Sequence, residues 1–211
     1  MGRRQRALEG VVSASAPTFG SPRAVSARFV LHETPLAGAQ VIERRPIADA
    51  RGCFERLYCA EELAVLFGSR PVAQINRSRT SRRGVVRGLH YQRPPYADAK
   101  LVTCVRGAVL DVAVDLRRGS PTFLHWHARL LREEVPESYF LPEGFAHGFQ
   151  ALTDDCELVY LHSAPYRADA EGSLSVRDAR IGIAWPLPVL ELSTRDAESP
   201  SSDGFDGLEF S

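Results

Sequence analysis

Lysine is almost absent from this sequence. Of the 26 basic residues in the 211-residue chain, Lys100 alone is a lysine and all the others are arginines. Arginine carries a planar guanidinium that stays charged, whereas lysine carries a compact ammonium that directs a single proton at a single oxygen, so the two are not exchangeable at a reacting centre. Lys100 is therefore a candidate functional residue, with chance retention as the alternative.

An excess of charge of either sign is also absent. Basic and acidic residues number 26 each, which excludes proteins whose affinity comes from a general attraction to phosphate backbones or anionic membranes. No run of apolar residues approaches the roughly 18 that a membrane span needs. We therefore expect neither nucleic acid nor a membrane as partner.

The sequence contains only four cysteines, and their spacing does not indicate a metal-binding site. The four cysteines show no close pairing of the zinc type. Cys104 and Cys156 lie inside apolar runs, where a free cysteine behaves as a small hydrophobic residue. This pattern favours a reduced, cytoplasmic protein.

The length favours one domain with two tails. A chain of 211 residues can bury one substantial core. Residues 1–30 are rich in Ser, Ala, Gly and Pro and are expected to be a disordered or non-domain extension, with a targeting peptide as a minor alternative. Residues 31–200 are expected to form the domain, and residues 201–211 a flexible tail.

The middle of the chain has the pattern of short strands. β-Branched and aromatic residues form short runs, separated by Gly- and Pro-containing turns at 118–121 and 142–144. This spacing predicts an all-β sandwich or barrel. One helix is predicted at 60–67, with Leu63 and Phe67 on its buried face. The predicted strands are 101–105, 109–116, 123–131, 138–141, 145–152 and 157–162.

Two histidines are embedded in this strand sequence. A lone histidine is usually a hydrogen-bonded structural residue, but His90 precedes Lys100 by ten residues, across a predicted hairpin. The order of Pro142, Gly144 and His147 resembles the second motif of the cupin superfamily, in whose metal-binding members that histidine is a ligand. Both histidines are therefore candidates for the functional site.

The first cupin motif is incomplete. It requires His-x-His followed by Glu, whereas His90 is followed by Tyr91 and Gln92. His125 and His127 have a spacing that would put both rings on one face of a strand, but no acidic third ligand follows them. Because a metal needs three or four convergent donors, we expect a site without a metal or other cofactor.

With these segments in view, the chain resembles the dTDP-4-dehydrorhamnose 3,5-epimerase family of metal-independent cupins. The resemblance implies a double-stranded β-helix, the cupin jelly roll, with a few short helices. It also implies a homodimer in which an N-terminal strand reaches into the partner's site. The segments that carry the resemblance are 49–54, 74–76, 87–92, 100–102, 106–107, 115–117, 120–123, 142–149, 181–186 and 192–196.

The resemblance implies a chemistry as well. In the family, the substrate is a dTDP-linked 4-keto-6-deoxy sugar, whose ketone acidifies the hydrogens on C3 and C5. His90 matches the family's base, and Asp196 matches the carboxylate that orients it. Lys100 matches the residue that faces the enolate oxygen, and Tyr160 matches the acid that returns a proton to the opposite face.

The family's substrate contacts can be carried over in the same way. The arginines among them suit bidentate contact with a diphosphate, and Arg51 is expected to act in the partner's site. The expected substrate-binding residues are Arg51, Gln74, Asn76, Arg87, His147, Glu171 and Arg195.

The chain also departs from the family pattern. Arg56 stands where the family usually has a glutamate, which is shifted here to Glu55, so a charge is expected to be reversed near the sugar or the nucleotide. Leu161 replaces a frequent lysine, and Val176 and Arg177 replace an aromatic residue and an asparagine. These changes leave the four catalytic positions intact.

Several functions remain open from the sequence. The leading hypothesis is epimerisation at C3 and C5, as in dTDP-L-rhamnose synthesis. An epimerase acting on C3 alone, in a secondary-metabolite pathway, would use the same residues. A sugar-nucleotide binding module would not need a base and an acid on opposite faces, and a metal cupin such as a dioxygenase would need the missing His-x-His.

Overall fold

The computed structural model describes residues 19–210. Within them the regular secondary structure is almost entirely β, which confirms the predicted fold class. The elements are β1 (Phe19–Ala24), β2 (Phe29–Glu33), β3 (Gln40–Arg44), β4 (Ile47–Asp49), β5 (Gly52–Phe54), α1 (Ala64–Phe67), β6 (Gln74–Thr80), β7 (Val86–Gln92), β8 (Lys100–Arg106), β9 (Ala108–Asp115), β10 (Trp126–Arg132), β11 (Glu137–Leu141), β12 (Phe145–Ala151), β13 (Cys156–His162), β14 (Glu171–Ser173) and α2 (Thr194–Ala197).

The strands form a jelly roll of two antiparallel sheets. The larger sheet has the order β1-β2-β3-β11-β8-β13-β6, and the smaller has the order β10-β9-β12-β7-β14. β4 and β5 pair only with each other and form a separate hairpin. Sequential neighbours such as β8 and β9 lie in different sheets, so the chain passes repeatedly from one sheet to the other.

The main core lies between the two sheets. Alternate residues of a strand point to one face, so Val102 and Leu158 of the larger sheet pack inward against Ala113 and Phe149 of the smaller one. The buried ring of Tyr139 belongs to the same cluster. This core fills one part of the space between the sheets.

The outer faces of both sheets are covered too. Leu63 and Phe67, at α1, pack with Leu101 on the outer face of the larger sheet. Leu110 and Trp185 belong to a cluster on the outer face of the smaller sheet. Every residue of β9 is buried as a result, which explains why the sequence there is apolar on both faces.

Two predicted elements are shorter than expected. The helix predicted at 60–67 is helical only over Ala64–Phe67, and the turn before it ends at Leu63 without a side-chain cap. The strand predicted from residue 123 begins at Trp126. Leu124 before it has a positive φ of 59° and donates its backbone N–H to Asp115, so this segment turns instead of extending.

Ordered structure extends beyond both ends of the domain expected at residues 31–200. β1 and the start of β2 lie inside the predicted extension, and Phe29 is fully buried there. Residues 1–18 lie outside the described part of the chain. At the other end, Ser202 is fully buried and Leu208 is 7% exposed. Leu208 bridges to Arg117 and packs in the core behind β7, so residues 201–210 are part of the domain.

All four cysteines are free thiols, and Cys104 and Cys156 are buried between the sheets. Among residues 19–210, no helix has the length and apolar character required to cross a membrane.

Candidate active site

A cavity of about 810 Å³ opens between the two sheets. Its walls come mainly from β6, β8 and β13 of the larger sheet and from β7 and β12 of the smaller one. Of the eleven site residues predicted from the sequence, ten line this cavity, and Arg51 does not. The ten are Gln74, Asn76, Arg87, His90, Lys100, His147, Tyr160, Glu171, Arg195 and Asp196.

Strand alternation explains the placement of Lys100 and Tyr160. Lys100 is on the same face of β8 as Val102, and Tyr160 is on the same face of β13 as Leu158. Since Val102 and Leu158 point into the inter-sheet core, the two polar side chains point inward where that core gives way to the cavity. Leu161 points the other way, into the outer cluster, so its departure from the family pattern lies outside the cavity.

An irregularity in β7 brings Arg87 and His90 to the same wall. His90 pairs with His147 and Arg87 pairs with Phe149, so β7 uses one more residue than β12 between these pairs. A bulge of this kind re-aims the side chains that follow it. Gly88 lies within the bulge, with a φ of +131°, and a Cβ there would be 2.5 Å from the Cα of Gly148.

His90 and Asp196 form a close pair. The His90 Nε2 lies 2.7 Å from the Asp196 Oδ1, and Ser193 caps α2 by accepting the Asp196 backbone N–H at 3.1 Å. Burial by itself raises the pKa of Asp196, but the hydrogen bond and charge of His90, together with hydrogen bonds from the Gly88 backbone and Ser193, hold the pKa below its ordinary value. The ionised carboxylate orients an imidazole that remains 35% exposed to the cavity.

Lys100 is held by a carboxylate that the sequence analysis missed. Its Nζ donates to the Asp98 Oδ1 at 3.2 Å, and the Asp98 Oδ2 lies 2.7 Å from the His162 Nδ1. Burial alone would raise the pKa of Asp98, but Lys100 and His162 lower it to about 2. The available signal was spacing, since Asp98 and His162 each lie two positions from a predicted catalytic residue along extended chain.

Tyr160 is partly buried between two histidine rings. Its ring meets His147 edge-on at 5.8 Å and stacks on His162 at 6.1 Å. Its hydroxyl lies 3.0 Å from the Ser78 Oγ, another contact that the sequence analysis missed. Burial raises the pKa of Tyr160, so the phenol stays protonated and is available as a proton donor.

His147 is hydrogen-bonded to the carboxylate of Asp111. The His147 Nε2 lies 2.8 Å from the Asp111 Oδ2, and Asp111 is fully buried. Burial raises the pKa of Asp111 although His147 acts in the opposite direction. The Asp111 Oδ1 has no hydrogen-bond partner among residues 19–210.

The mouth of the cavity carries polar groups that are already hydrogen-bonded to each other. The Glu171 carboxylate pairs with Arg195 at 2.6 Å and accepts from the Tyr166 hydroxyl at 2.9 Å. The Gln74 amide donates to the Asn76 side chain at 3.1 Å and accepts from the Tyr166 backbone at 2.9 Å. These groups can exchange internal partners for a polar ligand.

The family model for dTDP-4-dehydrorhamnose 3,5-epimerase matches residues 33–203. The chain belongs to this family. It is therefore an isomerase of the epimerase type. The family assignment made from the sequence is confirmed, and with it the expected class of enzyme.

Individual relatives support the same assignment. The dTDP-4-dehydrorhamnose 3,5-epimerase of Streptomyces griseus is 47% identical over 167 residues, covering 77% of this chain and 82% of the relative. The dTDP-4-dehydrorhamnose 3-epimerase of Streptomyces niveus is 44% identical, with coverage of 72% and 73%.

A solved structure agrees in fold. It is the dTDP-6-deoxy-D-glucose-3,5-epimerase from Legionella pneumophila Philadelphia 1 in complex with dTDP-4-keto-L-rhamnose. Its TM-score is 0.80 at 33% identity, and the match covers 86% of this chain and 98% of that structure.

Arg51 is the one predicted site residue that does not line the cavity of its own chain. It lies in the turn of the β4–β5 hairpin, where its side chain is 90% exposed and pairs with Asp49 at 2.6 Å. On the same hairpin, Ile47 and Phe54 are paired and exposed. Arg51 and the hairpin that carries it are therefore exposed and lie outside the chain's own cavity.

The other departures from the family pattern lie outside the cavity of the same chain. Arg56 pairs with Glu62 at 2.6 Å, and Glu55 accepts from Arg44 at 2.8 Å. Neither Arg56 nor Glu55 lines the cavity. Val176 packs in the core behind β7, and Arg177 is exposed. The expected charge reversal beside the substrate does not occur within the chain's own site.

The His125 and His127 side chains of this chain do not converge on a common point. His125 is exposed and precedes β10, whereas the His127 Nδ1 lies 2.9 Å from the Tyr139 hydroxyl. Burial, with a smaller effect of Arg129, lowers the pKa of His127 to about 4. In the part of the chain that the structure describes, no group of three His, Cys, Asp or Glu side chains could hold a metal ion.

Proposed function

We propose that this chain inverts C3 and C5 of a dTDP-linked 4-keto-6-deoxyhexose, as in dTDP-L-rhamnose synthesis. One observation carries the proposal. His90 is on β7 of the smaller sheet and Tyr160 is on β13 of the larger sheet, and both line the same cavity. A base and an acid on opposite walls are what inversion at carbon requires, since the proton leaves one face and returns to the other.

The proposed reaction begins at His90. Its imidazole, oriented by the Asp196 carboxylate at 2.7 Å, removes the proton from the carbon beside the C4 ketone. The electron pair moves into the carbonyl, so negative charge develops on the ketone oxygen. The Lys100 ammonium faces this oxygen and stabilises the enolate. The Tyr160 hydroxyl then donates a proton to the opposite face of the carbon.

Binding is proposed to use the cavity mouth. Arg87 and Arg195 would contact the diphosphate, since guanidinium groups make bidentate contacts with phosphate oxygens. The remaining proposed contacts to sugar and base are Gln74, Asn76, His147 and Glu171. This set supplies a base, an oxyanion partner, an acid and a binding surface, so the proposed reaction requires no cofactor.

We also propose that the protein is a homodimer in which Arg51 reaches the partner's cavity. The exposed Arg51 and the exposed apolar pair Ile47 and Phe54 on the same hairpin support this, because such a hairpin buries its apolar side chains only against another molecule. A cytoplasmic location is proposed as well, and the free thiols support it since disulfides are rare there.

Proton NMR in deuterated water tests the function. The purified protein is incubated with dTDP-4-keto-6-deoxyglucose, and the C3 and C5 signals are followed separately. We expect both signals to be lost as the epimerised product forms. Loss at C3 alone would favour the second candidate, a C3-epimerase, which the 44% identity to the Streptomyces niveus 3-epimerase keeps in view. No exchange at either carbon would refute both.

Tyr160→Phe provides the matching test of the acid. This variant removes only the hydroxyl, so His90 can still take a proton and return deuterium to the same face. We expect solvent exchange with little epimerised product. Tyr58→Phe, outside the cavity, is the control. Normal product formation by Tyr160→Phe would show that another group supplies the proton.

A further inference from the structure

Asp98 divides its carboxylate between two residues of the cavity wall. Its Oδ1 accepts from the Lys100 Nζ at 3.2 Å, and its Oδ2 lies 2.7 Å from the His162 Nδ1. The Asp98 side chain is only 3% exposed. Because each oxygen has its own partner, the carboxylate is not free to rotate about its Cβ–Cγ bond.

The contact made by the second ring nitrogen of His162 shows which nitrogen carries the proton. The His162 Nε2 lies 3.4 Å from the Asn76 Nδ2. An amide nitrogen only donates, so Nε2 accepts and the imidazole proton is on Nδ1, directed at Asp98. The Asn76 Oδ1 in turn accepts from the Gln74 Nε2 at 3.1 Å. Directed hydrogen bonds therefore run from Gln74 through Asn76 and His162 to Asp98, where Lys100 donates from the opposite side.

We propose that His162 and Asp98 are positioning residues that hold the Lys100 ammonium toward the reacting oxygen. This rests on the proposed function, in which Lys100 stabilises the enolate. An ammonium has three protons. One goes to Asp98, which leaves the others for a ligand oxygen, provided that Asp98 does not turn and take a second one.

His162 prevents that turn. If its N–H is removed, the freed Asp98 Oδ2 is drawn to the nearest cation, which is Lys100. The ammonium then moves toward Asp98 and away from the ligand. Charge on the ketone oxygen develops in the transition state, so the loss falls on kcat more than on KM. A purely structural role for His162 would lower stability without this selective loss.

Two variants of His162 separate these roles. The side-chain amide of His162→Asn offers an N–H close to the position of the imidazole Nδ1, whereas His162→Val removes the donor and suits a strand. We expect His162→Val to lower kcat about tenfold with KM within about twofold of the original, and His162→Asn to stay within about threefold in kcat. His32→Val is the matched control, since His32 pairs with Glu43 at 3.0 Å away from the cavity.

The single lysine permits a second readout that does not depend on turnover. Lysine labelled with ¹⁵N gives one side-chain ammonium signal, that of Lys100. We expect His162→Val to shift this signal or broaden it by faster exchange with water, and we expect His162→Asn and His32→Val to leave it unchanged.

The kinetic readout and the ammonium signal can each contradict a different part of the proposal. An original protein that does not epimerise refutes the proposed function, and the ammonium signal still tests the contact of His162 with the lysine site. If His162→Val keeps the original kcat and the original ammonium signal, the positioning role is wrong. Equal loss of kcat in His162→Val and His162→Asn would also overturn it, because the retained N–H would then make no difference.

Discussion

Lys100 illustrates how a rare residue is used at one position. It is 8% exposed, and it faces the cavity beside a carboxylate that its own charge helps to keep ionised. A guanidinium would present several donors in a fixed plane, whereas an ammonium can divide its protons between Asp98 and a ligand oxygen. The physical requirement at this position favours lysine in a chain that otherwise uses arginine.

Substitution of His90 or Asp196 is the most direct test of the proposed base and of the carboxylate that orients it. We expect His90→Asn and Asp196→Asn each to lower kcat by about 10³-fold, because one removes the proposed base and the other removes the charge that orients it. Steady-state kinetics measures the loss, and circular dichroism checks the fold. His32→Asn and Asp169→Asn, both outside the cavity, serve as matched controls.

The double variant adds a further check. If the two residues act as a unit, combining His90→Asn with Asp196→Asn should cost little more than either change alone. Near-normal turnover in either single variant would mean that another group takes the proton.

At the residue level, sequence reasoning found side chains that belong to motifs and missed those that support them. Lys100 and His90 were singled out from composition and spacing, and Tyr160 was identified through the family resemblance. Asp98 and His162 were missed, because their importance depends on a hydrogen bond between positions 64 residues apart. Their two-residue spacing from Lys100 and Tyr160 could have drawn attention to them, but no local pattern encodes the contact between them.

The bulge in β7 is the local feature that most directly positions the site. Without the extra residue, regular alternation would put Arg87 and His90 on opposite faces, since they are three positions apart. Gly88 allows the bulge because β12 passes against its Cα, with Gly148 as the facing residue. The close approach of two glycines thus lets one strand turn both a candidate base and an arginine proposed to bind phosphate toward the cavity.

Gly88→Ala tests this strand directly. We expect the substitution to destabilise the protein by about 3 kcal/mol or more, since it adds a backbone clash to an unfavourable φ. Gly52→Ala is a matched control, because Gly52 has the same φ of +131° but nothing within 4 Å of the added Cβ. Denaturant unfolding of both variants measures the difference. Equal losses would show that the clash is relieved by a small backbone shift.

His127 on β10 is a partly buried titratable group that makes stability depend on pH. The pKa of His127 is lowered from 6.5 to about 4 by burial, so the unfolded chain binds this proton more readily than the folded one. Stability therefore decreases as the pH falls from about 6.5 to about 4, by up to about 3 kcal/mol, and this contribution levels off below that range.

His127→Asn isolates the effect. Other groups also titrate in this range, so the quantity of interest is the difference between the two proteins in the free energy of unfolding. We expect the original protein to lose more stability than His127→Asn between pH 6.5 and pH 4. Parallel pH profiles would show that folding does not lower the pKa of His127, contrary to its partial burial beside Tyr139.

For the molecule as a whole, the site lies between two sheets and is proposed to be completed by a second chain. The cavity takes its walls from both sheets, so neither sheet alone holds the base and the acid. Arg51 is exposed and lies outside the cavity of the protomer that carries it. In the proposed dimer, each cavity therefore draws on residues of both chains.

Mixing two inactive variants tests that arrangement. Arg51→Ala lacks the proposed contribution to the partner's site, and His90→Asn lacks the base of its own site. In a mixed dimer, one cavity combines an intact His90 with the partner's intact Arg51. After co-refolding at equal amounts, we expect roughly a quarter of the original activity, because half of the dimers are mixed and each has one complete site.

Either alternative result is informative. Activity no greater than the sum of the separate variants would show that Arg51 does not act across a dimer. Sedimentation of the original protein as a monomer at assay concentration would rule out the dimer itself.

Local patterns in the chain were enough to predict the strand-rich class, the family and the motif residues, because alternation along a strand and motif order are local properties. Which residues meet depends instead on the folding of the whole chain. His90 and Asp196 are 106 positions apart, the β7 bulge depends on its pairing with β12, and the C-terminal residues are ordered by packing against Leu116 and Arg117. Such contacts depend on which distant strands become neighbours, and spacing along the chain does not specify that.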